Sequence, residues 1–350
     1  MRSTKIWKTS GKKFQFGLKP TLKKIIAKNA GTAMNSIPSI FNQHKIPYIV
    51  LCGNENAKKG PVPVTCVLLS RNGRPFRERV LKNVLEKGFE KIISVNPPSE
   101  KQCTVSFSAE FPSVKFIVTQ EEVSQGELLN LAFSVAETKY VLVLQEELCF
   151  EKIQFTQTAA NRLMQKKIFC IAPRLFSSGA TKIPVTFFPS AEKSVFKIES
   201  EFSFSDGRKT LYPFDYSAFY DREKFILLGG IDYTISSEYW QKIDFFFRSW
   251  LWGEKTLLST GFDFFYTENF PEENRTVDIS YLRFYLKNLI PVFSSDHGKI
   301  NALSFLPFKA RSECGFLESF RQFRDASRWV KKNQYRFKTD AVSLIENWRG

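Results

Sequence analysis

The chain has 350 residues, a net charge of +16, 43% hydrophobic and 25% charged residues, and 36 phenylalanines. That composition is ordinary for a folded protein with a core of large side chains, and the length allows one large domain with extensions. No stretch approaches the roughly 18 apolar residues a helix needs to cross a bilayer, and the basic N-terminus MRSTKIWKTSGKKFQF lacks the apolar segment of a secretory signal.

The charge is uneven. Residues 1–54 hold ten Lys or Arg and no acid, and residues 309–350 hold ten against five acids, so the middle is nearly neutral. The sequence therefore divides into a basic extension (1–54), a central domain (55–308) and a basic, helical tail (309–350). Basic flanks suggest an anionic partner, such as a membrane surface, a phosphorylated substrate or nucleic acid, against the plainer reading of solubilising tails. Cys52, Cys66, Cys103, Cys149, Cys170 and Cys314 form no CxxC pair and several lie in apolar runs, which reads as reduced core cysteine in a cytoplasmic protein. His44 and His297 are too distant from most of them to suggest zinc.

In chain order, residues 18–26 pattern as a short lysine-rich amphipathic helix, of a kind that lies on a membrane surface or packs on its own domain. A strand is expected at 46–52 and a linker at 54–63. Val64–Leu69 reads as a buried strand, 75–87 as a helix stopped by Gly88, Ile92–Val95 and Val114–Val118 as strands, 126–138 as a helix and Tyr140–Leu144 as a fully buried strand. A helix at 153–166 and a strand at 169–172 follow. Residues 176–210 give no clear order, and 211–215 is expected to be a strand entering the site. A strongly periodic helix begins near Ser237 and ends at Gly253, and the tail from Phe316 is helical. Alternation of this kind predicts an α/β fold with a mainly parallel sheet covered by helices.

The stretch GELLNLAFSVAETKYVLVLQEEL is central to the functional reading. Its buried strand ends abruptly in Gln145, Glu146 and Glu147, which puts acids at the carboxyl edge of the sheet, where open α/β folds bind ligands. Four pieces in order, VTCVLLSRN, this stretch, REKFILLGGID and WQKIDFFFRSWLWG, resemble a GT-A glycosyltransferase of the large family-two type. The likeness spans about residues 62–260 and leaves the two basic ends uncovered.

The resemblance implies a GT-A-like, nucleotide-diphospho-sugar transferase fold, transfer of a sugar from a nucleoside diphosphate donor to a saccharide, lipid or other acceptor, and Mg2+ or Mn2+ as cofactor. It puts Ser70, Arg71, Asn72, Asn96, Gly126 and Asn130 on the nucleotide side, and Gly229, Gly230 and Asp232 on the acceptor side. Glu147 falls at the metal position, with His297 as a late metal-ligand candidate. The motifs are degenerate. Asn96 stands where an aspartate usually meets the base, Gln145 replaces the first metal-motif acid, and Gln241-Lys242 replaces the Glu-Asp pair that carries the catalytic base. The remaining carboxylates for proton abstraction are Asp244 first and Glu238 second; Asp244 can equally be a salt bridge with Arg248 on one helix. A non-catalytic GT-A-like binding or assembly protein is the alternative. A nucleic-acid binder, argued from charge alone, ranks last. The expected location is the cytoplasm, with the inner face of the membrane in reach of the basic ends.

Overall fold

A computed structural model describes residues 45–51, 60–70, 77–192, 195–268, 270–312 and 314–348. The expected helix within 1–31, and Arg71 and Asn72, lie outside them.

The first half is a repeating strand-helix series: β1 (Tyr48–Leu51), β2 (Val62–Leu69), α1 (Arg77–Glu86), β3 (Phe89–Asn96), α2 (Lys101–Glu110), β4 (Val114–Thr119), α3 (Gln125–Val135) and β5 (Tyr140–Gln145). The second half continues with α4 (Gln157–Gln165), β6 (Cys170–Phe176), a hairpin of β7 (Thr186–Glu192) and β8 (Val195–Glu201), β9 (Ala218–Asp221), α5 (Arg222–Leu227), α6 (Glu238–Leu251) and β10 (Thr256–Phe265). It ends in α7 (Ile279–Phe284) with a π-helical turn at 285–289, the hairpin β11 (Val292–Ser294) and β12 (His297–Lys299), and helices α8 (Phe305–Arg311), α9 (Phe316–Lys332) and α10 (Ala341–Glu346).

Eight strands form one sheet in the order β1-β4-β3-β2-β5-β9-β6-β10. Neighbours pair in parallel except at β1–β4 and on both sides of β9. Parallel strands are covered on both faces, which is why VTCVLL and YVLVL are apolar throughout and why every residue of β5 is buried. Each fully buried Val, Leu or Phe contributes about 1.5–3 kcal/mol of transfer free energy. α3 starts with a capping box: Ser124 Oγ accepts from Glu127 N at 3.3 Å, and Glu127 Oε2 accepts from Ser124 N at 2.9 Å.

Three expectations are revised. A helix, α2, fills the gap between β3 and β4, so the βαβ alternation is unbroken. Residues 211–217 are not a strand: they run as a loop with one 3-10 turn, and Asp215 and Tyr216 take left-handed backbone (φ 56° and 59°), which no ladder accommodates. The strand that enters the sheet here is β9. Residues 176–210, unordered on sequence, hold the β7–β8 hairpin.

Segments from both ends touch the central sheet and helices. β1 pairs with β4. From the tail, Trp329 stacks on Trp252 at 5.9 Å, Trp348 meets Trp250 at 4.6 Å, and Lys338 N donates to Leu251 O at 2.8 Å. Among the described residues no helix is long and apolar enough to cross a membrane.

Candidate functional site

Because β2, β3 and β5 are parallel neighbours, Ser70, Asn96 and Gln145 finish at one edge of the sheet. Into that edge α1 inserts Arg77, only 3% exposed. Its guanidinium hydrogen-bonds Asn96 Oδ1 and Glu100, donates to Ser94 Oγ at 2.8 Å, and lies 3.2 Å from Glu146 Oε1. Ser70 Oγ donates to Glu100 as well. The Asn96 amide is satisfied inside the protein, since Nδ2 donates to Ile117 O at 3.1 Å and Oδ1 accepts from Arg77. Ser70 and Asn96 are thus linked through Glu100 and Arg77, an arginine that sequence reading did not single out. Both Glu146 oxygens are buried without a hydrogen bond. Burial pushes the Glu146 pKa up to about 7, against the pull of Arg77 and with added repulsion from Glu100 and Glu147.

The nucleotide-side candidates on α3 perform packing work here. A Cβ on Gly126 would lie 2.3 Å from Gln241 Oε1, so this glycine lets α3 press against α6. Asn130 clamps the glycine turn: its Nδ2 donates to Ile231 O at 2.8 Å, and its Oδ1 accepts from Ile231 N at 2.8 Å. Gly229 and Gly230 have φ of 85° and 68°, the left-handed backbone that this turn requires. It delivers Asp232 into a buried cluster. Lys287 Nζ donates to Asp232 Oδ2 at 2.9 Å and to Asp244 Oδ2 at 2.8 Å. Arg248 donates to Asp244 Oδ2 at 2.6 Å, Asn288 Nδ2 donates to Asp244 Oδ1 at 2.7 Å, and Arg283 lies 3.4 Å from Asp232. Burial opposes the Asp232 charge, but Lys287 and Arg283 outweigh it and hold its pKa well below the usual carboxylate range. Trp329 lies 4.8 Å from Lys287 Nζ, so the tail helps close this cluster.

Asp244 is fully buried with both oxygens bonded to protein partners. Glu238, at the start of α6, is by contrast exposed and faces a cleft of about 510 Å3. Phe214, Tyr216 and Tyr239 supply aromatic walls; Asp215, Glu273 and Asp278 supply further carboxylates. Lys242 lines this cleft. Its Nζ pairs with Glu273 Oε1 at 2.5 Å and sits 4.9 Å from the Tyr212 ring and 5.6 Å from that of Tyr216. Burial works against the Glu273 carboxylate, yet Lys242 and Arg275 hold its pKa below the ordinary value. Gln145 ties the sheet edge to the cleft, donating from Nε2 to Asp215 O at 2.9 Å.

The donor set falls short of a protein-built Mg2+ or Mn2+ site. Gln145 is neutral, Arg77 already faces Glu146, and among the described residues no group of three or more His, Cys, Asp or Glu is placed to hold a metal. Glu147 follows β5, with its backbone carbonyl accepting from Thr267 N at 3.0 Å. His297 lies in the β11–β12 hairpin, 2.9 Å from Asp296 and beside the Tyr335 ring.

The fold is GT-A-like, with a mixed, mainly parallel sheet flanked by helices. Among solved structures it is similar to GalNAc-T7 with UDP, GalNAc and Mn2+, at TM-score 0.53 and 10% identity over 97% of this chain and 67% of that one. A mannosyltransferase, PcManGT from Pyrobaculum calidifontis in complex with GDP-Man and Mn2+, matches at TM-score 0.41 and 13% identity over 79% of this chain and 72% of that one. No protein-family model matches the sequence, and neither does any curated protein.

Proposed function

We propose that the chain is a nucleotide-sugar glycosyltransferase, of the family-two type its four motifs resemble, moving a sugar from a nucleoside diphosphate donor to a saccharide acceptor. The observation that carries the reading is the cleft between the sheet edge and α6. It is open, it joins the carboxyl edge through Gln145 and Asp215, and it presents an exposed Glu238. Aromatic faces beside carboxylates suit a polyhydroxyl acceptor. Glu238 takes the proton of the acceptor hydroxyl as its oxygen attacks the anomeric carbon and the bond to the diphosphate breaks. Lys242 puts a positive charge in the cleft, where it offsets part of the charge on the leaving diphosphate. A second reading, a non-catalytic GT-A-like binding protein, is favoured by the closure of Asp244 inside its ion pairs and by a lysine in the base position.

The test is a titration with nucleoside diphosphates and nucleotide sugars, with and without Mg2+ or Mn2+, following thermal stability. A ligand at 100 times its Kd should add roughly 2.7 kcal/mol. Sugar transfer is then assayed, and Glu238→Gln should lower turnover by about 10²–10⁴-fold with donor binding intact. Donor binding without transfer by the unaltered protein leaves the second reading standing. Binding of no nucleotide or nucleotide sugar removes the transferase reading and puts the non-catalytic one, as an assembly protein, in the lead. If binding requires the metal, Glu147→Gln should weaken it.

A further inference from the structure

Exposed apolar side chains are concentrated in one place. Of the twelve large hydrophobic residues exposed among the described residues, five fall between positions 303 and 320. Leu303 (74% exposed), Leu306 (68%) and Leu317 (81%) stand almost fully in solvent, with Phe316 and Phe320 between them. The segments that carry them are locked together by Phe305, whose ring meets Phe316 at 5.8 Å and Phe320 at 5.9 Å. α9 buries its other side through Phe323, Ala326, Trp329 and Val330. The 3.6-residue period therefore places the outward residues on one side of the helix. After its apolar first turn that side continues with Arg321, Arg324, Arg328, Lys331 and Lys332, all exposed and with no acid among them. The neighbouring acids engage these cations only loosely: Arg321–Glu318 at 3.8 Å, Arg324–Asp325 at 3.7 Å and Arg328–Asp325 at 3.9 Å.

We propose that this α8–α9 face docks the protein on an anionic lipid surface. The leucines and phenylalanines enter the boundary between headgroups and acyl chains, and the row of cations lies along the anionic headgroups. The occupant is argued from charge. Residues 1–54 of this chain carry ten basic residues and no acid, so they are repelled from a basic face, and a second copy would set cation against cation. A nucleic acid would use the cations, but it gives no role to three exposed leucines, because bases stack on aromatic rings. The inference is independent of the sugar-transfer reading, and its test involves no nucleotide.

Full-length protein is sedimented with vesicles of phosphatidylcholine, alone or mixed with phosphatidylglycerol, at low and raised salt. Binding is expected to the mixed vesicles, weakened by salt, and not to phosphatidylcholine alone. Arg328→Gln/Lys331→Gln/Lys332→Gln should lower affinity on the order of 100-fold at low salt. Leu303→Ser/Leu306→Ser/Leu317→Ser should lower it about tenfold or more. These side chains are exposed, so both variants should keep the thermal midpoint of the unaltered protein, which a melting curve checks. No binding to mixed vesicles at low salt overturns the proposal. So does binding that survives in both variants, which would assign lipid affinity to another segment. Self-association lost in the leucine variant, with vesicles ignored, overturns it in favour of a protein interface.

Discussion

Two buried charge clusters in the protein are built with opposite stoichiometry. Around Arg77, one cation faces two carboxylates, Glu100 and Glu146. Around Lys287, three cations, with Arg248 and Arg283, face Asp232 and Asp244. Burial penalises charge in both, but the outcomes diverge. Asp232 is held ionised, whereas Glu146 keeps two oxygens without a hydrogen bond and a pKa raised to about 7. Depth alone does not decide the state of a buried acid; the local count of cations and donors does. The cluster with a cation in excess ties α6 to the π-helical turn after α7. The cluster with an acid in excess lies where the chain ends its parallel strands, and it is the one with a proton to gain or lose near neutrality.

The sharpest way to break the first cluster is Lys287→Met. It leaves two buried aspartates short of their shared cation and should destabilise the fold by about 3–5 kcal/mol, read from urea unfolding. Adding Asp232→Asn should recover part of that loss; no recovery would show that Lys287 acts through packing alone.

Next in size is Glu146→Gln. The folded pKa of Glu146 lies above its ordinary 4.5, so its favourable protonated state is fully present below that value and is lost as pH rises towards about 7. Removing the charge should make the variant gain on the unaltered protein by about 3 kcal/mol between pH 4 and pH 8, an order-of-magnitude figure for a buried, interacting group. A difference that stays flat across that range would show the carboxylate to be well solvated. The smallest effect concerns the helix contact between the clusters. Gly126→Ala drives a methyl group into Gln241 and Ile231 and should cost about 1–3 kcal/mol, measured by the same unfolding curves.

The sheet was readable because buried parallel strands are apolar without interruption. The strands expected at Val64, Ile92, Val114 and Tyr140 are present, starting at Val62, Phe89, Val114 and Tyr140. α2 escaped notice because KQCTVSFSAE has no apolar stripe; it buries Thr104 and Ser108. β9 is four residues long and follows a left-handed turn, so neither length nor periodicity announces it. The site was legible in part. Gly126, Asn130, Gly229, Gly230 and Asp232 stand out by type and spacing, but what they do depends on partners about a hundred residues away, such as the Asn130–Ile231 pair. One signal was available and unused: Arg283 and Lys287 interrupt the apolar run YLRFYLKNLI, and charges so placed need buried acids. Arg77 gave no such signal, being one of four arginines in RNGRPFRER.

The two consecutive left-handed residues at Asp215 and Tyr216 set a limit on engineering. Each non-glycine residue held in that region costs roughly 1–3 kcal/mol, and both sit on the wall of the cleft. Glycine at position 216 would relieve the backbone, but it would also empty the space of a ring only 2% exposed, and the loss of a buried aromatic, about 3–5 kcal/mol, outweighs that relief. It would remove the ring beside Lys242 as well and widen the cleft on the side where it meets Gln145. At this turn, heat resistance and an intact cleft wall call for the same residue.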